Sequence, residues 1–350
     1  MAGALMGGEA QRGIRVAILV TLMLQNAVYT LLRRYSQGVL KETVSSSEVL
    51  LLGEVIKLCF SGYKTVADRE PSDAEGEGLA KLWWLCVNSW KMAVLAAIYA
   101  AMNILSFIAL RRIDAAAFTV CAQLKILTTA FFSVTVLQRH LTWTKWRALV
   151  LIVCASILVS TPSLSSADPD CDTEATEGGP GMIDGESDAE AASSTVALGY
   201  AAVLAEVTLS GFASIYFEKV IKATNVKLSI WDRNFQLALY SIGLFSVMAV
   251  IDGSKEGHSL GGGWSFVSII ISMLGAFGGI LVALSVKYSD SIMKCIAVSG
   301  AIVVATVVGW WLLDGPMTLP MAIGALCAIV ATQNYTFDAE AEKPAPKPAG

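Results

Sequence analysis

Charge is scarce in this chain of 350 residues: 15% of it is Asp, Glu, Lys or Arg, against 55% hydrophobic residues. Soluble domains carry nearer a quarter charged residues, so an ordinary soluble domain is excluded and a multi-span membrane protein is expected. Histidine is nearly absent. His140 and His258 both fall in predicted connections, which argues against a histidine-based metal site. No GxxxxGK[ST] phosphate cradle occurs, so an ATP-driven pump loses ground. Of the seven cysteines, Cys59, Cys121, Cys154, Cys295 and Cys327 lie in apolar runs, Cys86 borders one, and only Cys171 sits in a polar loop. Neither a disulfide framework nor a CxxC metal pair can be built from them. No small-residue cleavage site follows the first apolar run, which reads as a retained helix and not as a signal peptide. Residues 163–195 lack Lys, Arg and aromatics altogether. This Ser/Gly/Asp/Glu-rich linker is expected to be a disordered, solvated tether; cation binding by its acidic run is the lesser reading.

The chain does hold long apolar runs. Ten segments of near-spanning length can be marked, at roughly 14–32, 46–66, 88–110, 115–137, 145–162, 196–217, 230–251, 264–286, 292–313 and 317–335. The runs are continuously apolar and not alternating, so helices are preferred to a barrel. An even count puts both termini on one side. With a cytosolic N-terminus, that side holds Arg12, Arg15, Lys64, Arg69, Lys81, Arg139, Lys145, Arg147, Lys219, Lys222, Lys227, Arg233, Lys287, Lys294, Lys343 and Lys347, which makes 16. The other side holds Arg33, Arg34, Lys41, Arg111, Arg112 and Lys255, which makes 6. The positive-inside rule therefore favours cytosolic termini and a luminal 163–195 linker. Asn334-Tyr335-Thr336 matches a glycosylation acceptor but falls on the cytosolic side.

The stretch from Leu110 to Ser160 organises the rest. Sliding the chain by 176 positions without a gap sets Asp114 on Asp290, Arg111 on Lys287, and Leu141-Thr142 on Met317-Thr318. Two homologous halves around a central site are a common plan of secondary transporters. Within it stands Lys125, flanked by Gln123 and Thr128. A charge at that depth costs about 3 kcal/mol or more. The competing reading is an internal ion pair with Glu54 or Glu206. Glu54 and Lys57, three apart on one helix face, read as a structural ion pair. Lys91 reads as a snorkelling lysine. Tyr99 and Asn103 share a face and suit stacking on, and hydrogen bonding to, a nucleobase, though helix packing explains them nearly as well. Ser210, Gly211, Asn234, Gly275, Gly278 and Gly279 are small or polar, and close packing is the default for the glycines. Lys287 and Lys294 bracket a turn; lysines reaching a cavity from opposite halves would suit a phosphorylated ligand.

DAAAFTVCAQLKILTTAFFSVTVL at 114–137, GFASIYFEKVIK at 211–222, WDRNFQL at 231–237 and GGILVALSVKYSDSIMK at 278–294 resemble the Golgi nucleotide-sugar transporter family, within the drug/metabolite transporter superfamily. The resemblance covers most of residues 14–335 and implies ten helices in two inverted five-helix repeats, 14–162 and 196–336. Tails at 1–13 and 337–350 would be cytosolic. It implies a carrier, not an enzyme, with no cofactor and no nucleic-acid partner. Its ligands would be a nucleotide sugar and the nucleoside monophosphate it exchanges for, its surroundings the Golgi bilayer; a homodimer stays open. Carried over by position, Tyr99 and Asn103 would serve the base and Lys125 and Lys294 the phosphates. Thr119, Gln123, Ser210, Asn234, Gly278 and Gly279 would complete the substrate site. Phe118–Ala122 and Ile104 depart from the commoner family residues near the sugar and base. QLKILTTAFFSV is closer to the UDP-galactose and UDP-N-acetylglucosamine branch than to the CMP-sialic acid branch, so a UDP-sugar/UMP antiporter is expected, with a CMP-sialic acid/CMP antiporter or another carrier of the superfamily as the alternative. A membrane-embedded glycosyl- or phosphotransferase would need an Asp/His metal cluster that is missing. A non-transporting scaffold would use the polar groups as interhelical glue.

Overall fold

The structure is a computed structural model that describes residues 2–42, 44–67, 74, 76–160, 185–222, 228–256, 262–313 and 317–341. Among these residues it is all-helical. In chain order the helices are α1 (Ala2–Gly38), α2 (Ser46–Ala67), α3 (Leu79–Val87), α4 (Trp90–Leu110), α5 (Ala115–Ala122) and α6 (Lys125–Leu137). They continue with α7 (Trp143–Val159), α8 (Gly185–Ile221), α9 (Ile230–Glu256), α10 (Phe266–Tyr288), α11 (Ser291–Leu313) and α12 (Leu319–Ala341). Each expected segment meets a helix, but three differences stand out. α3 lies in an expected connection. The fourth segment is divided into α5 and α6. α8 begins at Gly185, so residues 185–195 of the expected linker are helical, while 161–184 lie outside the described residues, as do Cys171, His258 and most of the C-terminal tail.

Among the described residues, seven helical stretches are long and apolar enough to cross a membrane: Ala10–Ser36, Trp90–Leu110, Ala117–Leu137, Thr195–Ile221, Ile230–Asp252, Phe266–Tyr288 and Ser291–Leu312. The other three long helices fall short for visible reasons. α2 carries Glu54, Lys57 and Lys64 within its apolar stretch, α7 has 17 residues, and α12 turns polar after Thr332.

Helix starts keep the register of the internal slide. α4, α5 and α7 start at Trp90, Ala115 and Trp143; α10, α11 and α12 start at Phe266, Ser291 and Leu319, each 176 positions later (266 − 90, 291 − 115, 319 − 143). The aligned aspartates do the same work. Asp114 accepts from the Ala117 amide at 3.2 Å, and Asp290 from the Met293 amide at 2.7 Å. Each satisfies an otherwise orphaned N–H in the first turn of the following helix, where a carboxylate also complements the helix dipole. The lysines are not related in this way: Lys125 falls opposite Ala301, and Lys294 opposite Phe118.

The chain forms two compact units that cut across its order: 1–100 with 213–314, and 101–212 with 315–350. In the first, α2 packs on α9 and α10, and α1 packs on α10 and α11. Small residues set the spacing. A Cβ at Gly53 would stand 3.0 Å from the Ser272 carbonyl oxygen, and one at Gly300 would stand 2.9 Å from Met23 Sδ. Ala27, Ala301 and Ala305 form one buried cluster, and Leu22, Leu281 and Ala297 another. In the second unit α7 packs on α12 and α6, and Ala109, Ile113, Ala202, Val203 and Val207 form a core between α4 and α8. Lipid tails are as apolar as leucine, so close backbone approach and interhelical hydrogen bonds, more than burial from water, hold such helices together.

Candidate functional site

A cavity of about 230 Å³ opens in the first unit between α1, α2 and α10. Its polar wall is Gln25, Asn26 and Tyr29 from α1, Glu54 from α2 and Ser272 from α10. Gly53, Gly275, Gly278 and Gly279 form the close side. The glycines are needed there for space. A Cβ at Gly278 would stand 2.5 Å from Gln25 Nε2, whose amide donates to the Leu274 carbonyl at 2.9 Å. A Cβ at Gly279 would stand 3.2 Å from Lys57 Cδ. Lys57, with 6% of its side chain exposed, pairs with Glu54 at 2.6 Å, as the spacing of the two residues predicts. The cavity therefore joins an aromatic ring, two amides and a nearly dry ion pair.

Of the ten expected site residues, only Gly278 and Gly279 line this cavity. Sequence reasoning missed Gln25, Asn26 and Tyr29. Their signal was available: QNAVY puts two amides and a tyrosine within one turn of an apolar helix, where polar groups are costly.

Lys294 stands in the first turn of α11, and its ammonium donates to Ser214 Oγ at 3.0 Å. Ser214, one turn beyond the expected Ser210, is the serine of α8 that meets it. Around this contact the GFASIYFEKVIK and SDSIMK runs interlock. Fully buried Glu218 accepts from the Ser291 amide at 2.9 Å and from Lys222 Nζ at 2.7 Å. Lys222 also donates to the Ser289 carbonyl at 2.5 Å, and Ser291 Oγ donates to the Ser214 carbonyl at 2.9 Å.

WDRNFQL has an equally specific local role. Ser229 and Asp232 form a reciprocal capping box at the start of α9: the Ser229 amide donates to Asp232 Oδ2 at 2.9 Å, and the Asp232 amide to Ser229 Oγ at 3.1 Å. Gln236 donates to the Leu85 and Asn88 carbonyls at the end of α3. Asn234 is buried, and its amide donates to Ile230 of its own helix at 3.0 Å.

In the second unit, Gln123 and Leu124 take a tightened helical path between α5 and α6, with i→i+3 bonds from Gln123 to Val120 and from Leu124 to Cys121. Such mid-helix tightening often marks a functional hinge. No Gly or Pro announces it. The Gln123 amide donates back to the Thr119 carbonyl at 3.4 Å. The Lys125 carbonyl accepts from the hydroxyls of Thr128 and Thr129, at 3.1 and 2.6 Å. Thr128 also donates to the Val207 carbonyl at 3.0 Å, which clamps α6 to α8. A Cβ at Gly211 would stand 2.5 Å from Thr128 Oγ1 and 2.7 Å from its backbone, so this glycine is a packing residue, and Ser210 adjoins it. Lys125 and Glu206 interact electrostatically without a direct ion pair among the described residues. Tyr99 and Asn103 lie one turn apart on α4, both partly buried and both engaged with other groups. No three His, Cys, Asp or Glu side chains gather in a way that could hold a metal ion among the described residues.

These features define a helical membrane protein with polar groups set into apolar helices, the construction of a carrier. Relatives narrow it. The nucleotide-sugar transporter family profile matches residues 10–336, and the chain belongs to that family. It is 36% identical, over 93% of its length and 94% of the relative's, to a UDP-N-acetylglucosamine/UDP-N-acetylgalactosamine transporter of Caenorhabditis elegans. It is 33% identical, over 95% and 88%, to a UDP-galactose transporter of Schizosaccharomyces pombe. It is 35% identical, over 75% and 74%, to the UDP-N-acetylglucosamine transporter of Homo sapiens. A solved crystal structure shares the fold with a TM-score of 0.62 at 13% identity, covering 94% of this chain and 99% of the other.

Proposed function

We propose that this protein carries a UDP-sugar, UDP-galactose or UDP-N-acetylglucosamine, into the Golgi lumen in exchange for UMP, with both termini cytosolic. The observation that carries the reading is that relatives matched along nearly their whole length, at 33–36% identity, are named for UDP-sugars. The shared register of α4, α5 and α7 with α10, α11 and α12 supports two five-helix repeats, which we take to be inverted. A UDP-sugar carries roughly two negative charges and UMP about −1.5 to −2, so the exchange is nearly electroneutral and the same cations can serve both ligands.

We assign the phosphates to Lys294 and to Lys125, and the base to Tyr99 and Asn103, with Thr119, Gln123, Ser210, Asn234, Gly278 and Gly279 as further substrate contacts. Lys294 is the better prepared of the two lysines, because Ser214 holds its ammonium at 3.0 Å.

Uptake of labelled nucleotide sugars into proteoliposomes tests the function. Vesicles preloaded with UMP should take up UDP-galactose or UDP-N-acetylglucosamine faster than empty or CMP-loaded vesicles. Equal uptake into empty and UMP-loaded vesicles would sink antiport, and preferential stimulation by CMP would move the assignment to a CMP-sugar. Stabilisation of purified variants by UMP tests the lysines. Lys125→Ala and Lys294→Ala should each weaken UMP binding by about 2–5 kcal/mol, as when one partner of a desolvated charge pair is removed. Well-folded variants that keep wild-type affinity for UMP would overturn the phosphate assignment.

A further inference from the structure

α3 is nine residues long, too short to cross a bilayer at 1.5 Å per residue. Its faces are reversed relative to a helix on a soluble protein. Lys81 and Leu85, one turn apart, point inward. Lys81 Nζ lies 3.4 Å from the buried Asp232 carboxylate and donates to the Thr65 carbonyl at 3.2 Å. Leu85 is fully buried. Leu79, Trp83 and Val87, also at one-turn spacing, point the other way and are 83%, 73% and 66% exposed. A helix facing water gains from the opposite arrangement.

We propose that α3 is an interfacial helix, lying in the plane where lipid headgroups meet acyl chains, and that it fastens the capped start of α9 to the membrane surface through Lys81 and Asp232. Three observations select lipid as the occupant. The apolar face continues two residues beyond Asn88 into Trp90, 66% exposed, which opens a helix long and apolar enough to span. The face is rich in indole, the side chain favoured at the bilayer–water boundary. Ammonium groups stand at the level of the indoles: Lys91 Nζ is 5.8 Å from the centroid of the Trp90 ring, and Lys64 Nζ is 5.9 Å from that of Trp231. Lysines so placed meet lipid phosphates while their stems stay against apolar surface. α3 thus lies on the membrane without crossing it, and its one inward charge is spent on the buried carboxylate that caps α9.

Site-directed spin labelling of the full chain in phosphatidylcholine–phosphatidylserine vesicles tests this. Labels are placed one at a time at Leu79, Trp83 and Val87, with the exposed Glu77 as the water-facing control, in a background without native cysteines. The three labels should collide severalfold more with oxygen, relative to a water-soluble nickel reagent, than the control does. Nickel access equal to the control would overturn the proposal. Exclusion of both reagents would also overturn it, by showing that a second copy of the chain covers the face. A variant that does not depend on the cysteine background, Trp83→Phe, should lower the tryptophan fluorescence quenched by brominated lipid; unchanged quenching would count against the proposal.

Discussion

The two compact units both close on glycines but differ in buried charge. The first pairs its inward carboxylates with lysines: Glu54 with Lys57, fully buried Glu218 with Lys222 at the exposed edge, and fully buried Asp232 with Lys81. The second shares the close glycine contacts that the first makes at Gly53, Gly278 and Gly300, with Gly211 against Thr128, Gly199 against Ile113 and Gly324 against Leu158, but has no buried ion pair between described residues. A buried charge is costly unless paired, so the first unit is specified by partners; a helix contact without side chains is specified by space. The same substitution should therefore fail differently in each.

The largest effect is expected at Glu218. Glu218→Ala removes the acceptor of the Ser291 amide and leaves Lys222 without its carboxylate. Hydrogen bonds to a charged group are worth about 1.5–3 kcal/mol each, and the exposed Lys222 stays solvated when its partner is removed. Thermal unfolding in detergent should show a loss of this order, and Glu218→Gln, which keeps an acceptor, should recover part of it. A stability unchanged by Glu218→Ala would break the contrast between the units.

Space is the variable in the second unit. Gly211→Ala puts a methyl group within 2.8 Å of Thr128 on backbone and side chain, so α8 must shift. Overpacking of this kind costs about 1–3 kcal/mol. A Thr128→Ala partner, lacking the hydroxyl oxygen that stands nearest, should relieve some of it; full additivity of the two changes would argue that α6 and α8 do not meet here.

At the start of α9 the expected effect is smaller. Ser229→Ala removes half of the capping box and should lower stability by about 0.5–2 kcal/mol, while Ser229→Asp should keep most of it.

The smallest effect depends on pH. Partial burial raises the Glu42 pKa, but the hydroxyls of Ser265, Ser268 and Ser36 outweigh it and hold this carboxyl below the usual range. A pKa lower in the folded than in the unfolded state contributes stability above the unfolded value, and that contribution is lost as pH falls through the folded one. The stability gap between wild type and Glu42→Gln should therefore be largest near neutrality and shrink in acid; a gap that widened on acidification would reverse the sign of the argument.

Much of this was legible beforehand. Apolar runs located the long helices, because backbone groups in lipid must be satisfied within the helix that carries them. The slide by 176 positions anticipated the shared starts of three helix pairs and the matched caps at Asp114 and Asp290. The Glu54–Lys57 pair followed from its spacing. α3 escaped because a nine-residue amphipathic run between polar loops resembles any connection, and the α5–α6 interruption escaped because Gln123 and Leu124 are ordinary helix residues. Of the expected residues, Gly278 and Gly279 line the cavity, whereas Gln25, Asn26 and Tyr29, which also line it, lay in a helix read only for its hydropathy.

By itself, then, the sequence determined the helical class, the internal register and the family, since each depends on composition and order along the chain. Only the tertiary structure decided that the compact units draw on both sequence halves, that Ser214 meets Lys294, and which glycines wall the cavity. Those outcomes depend on distances between helices far apart in the chain, where a difference of one methyl group chooses which side chains can touch.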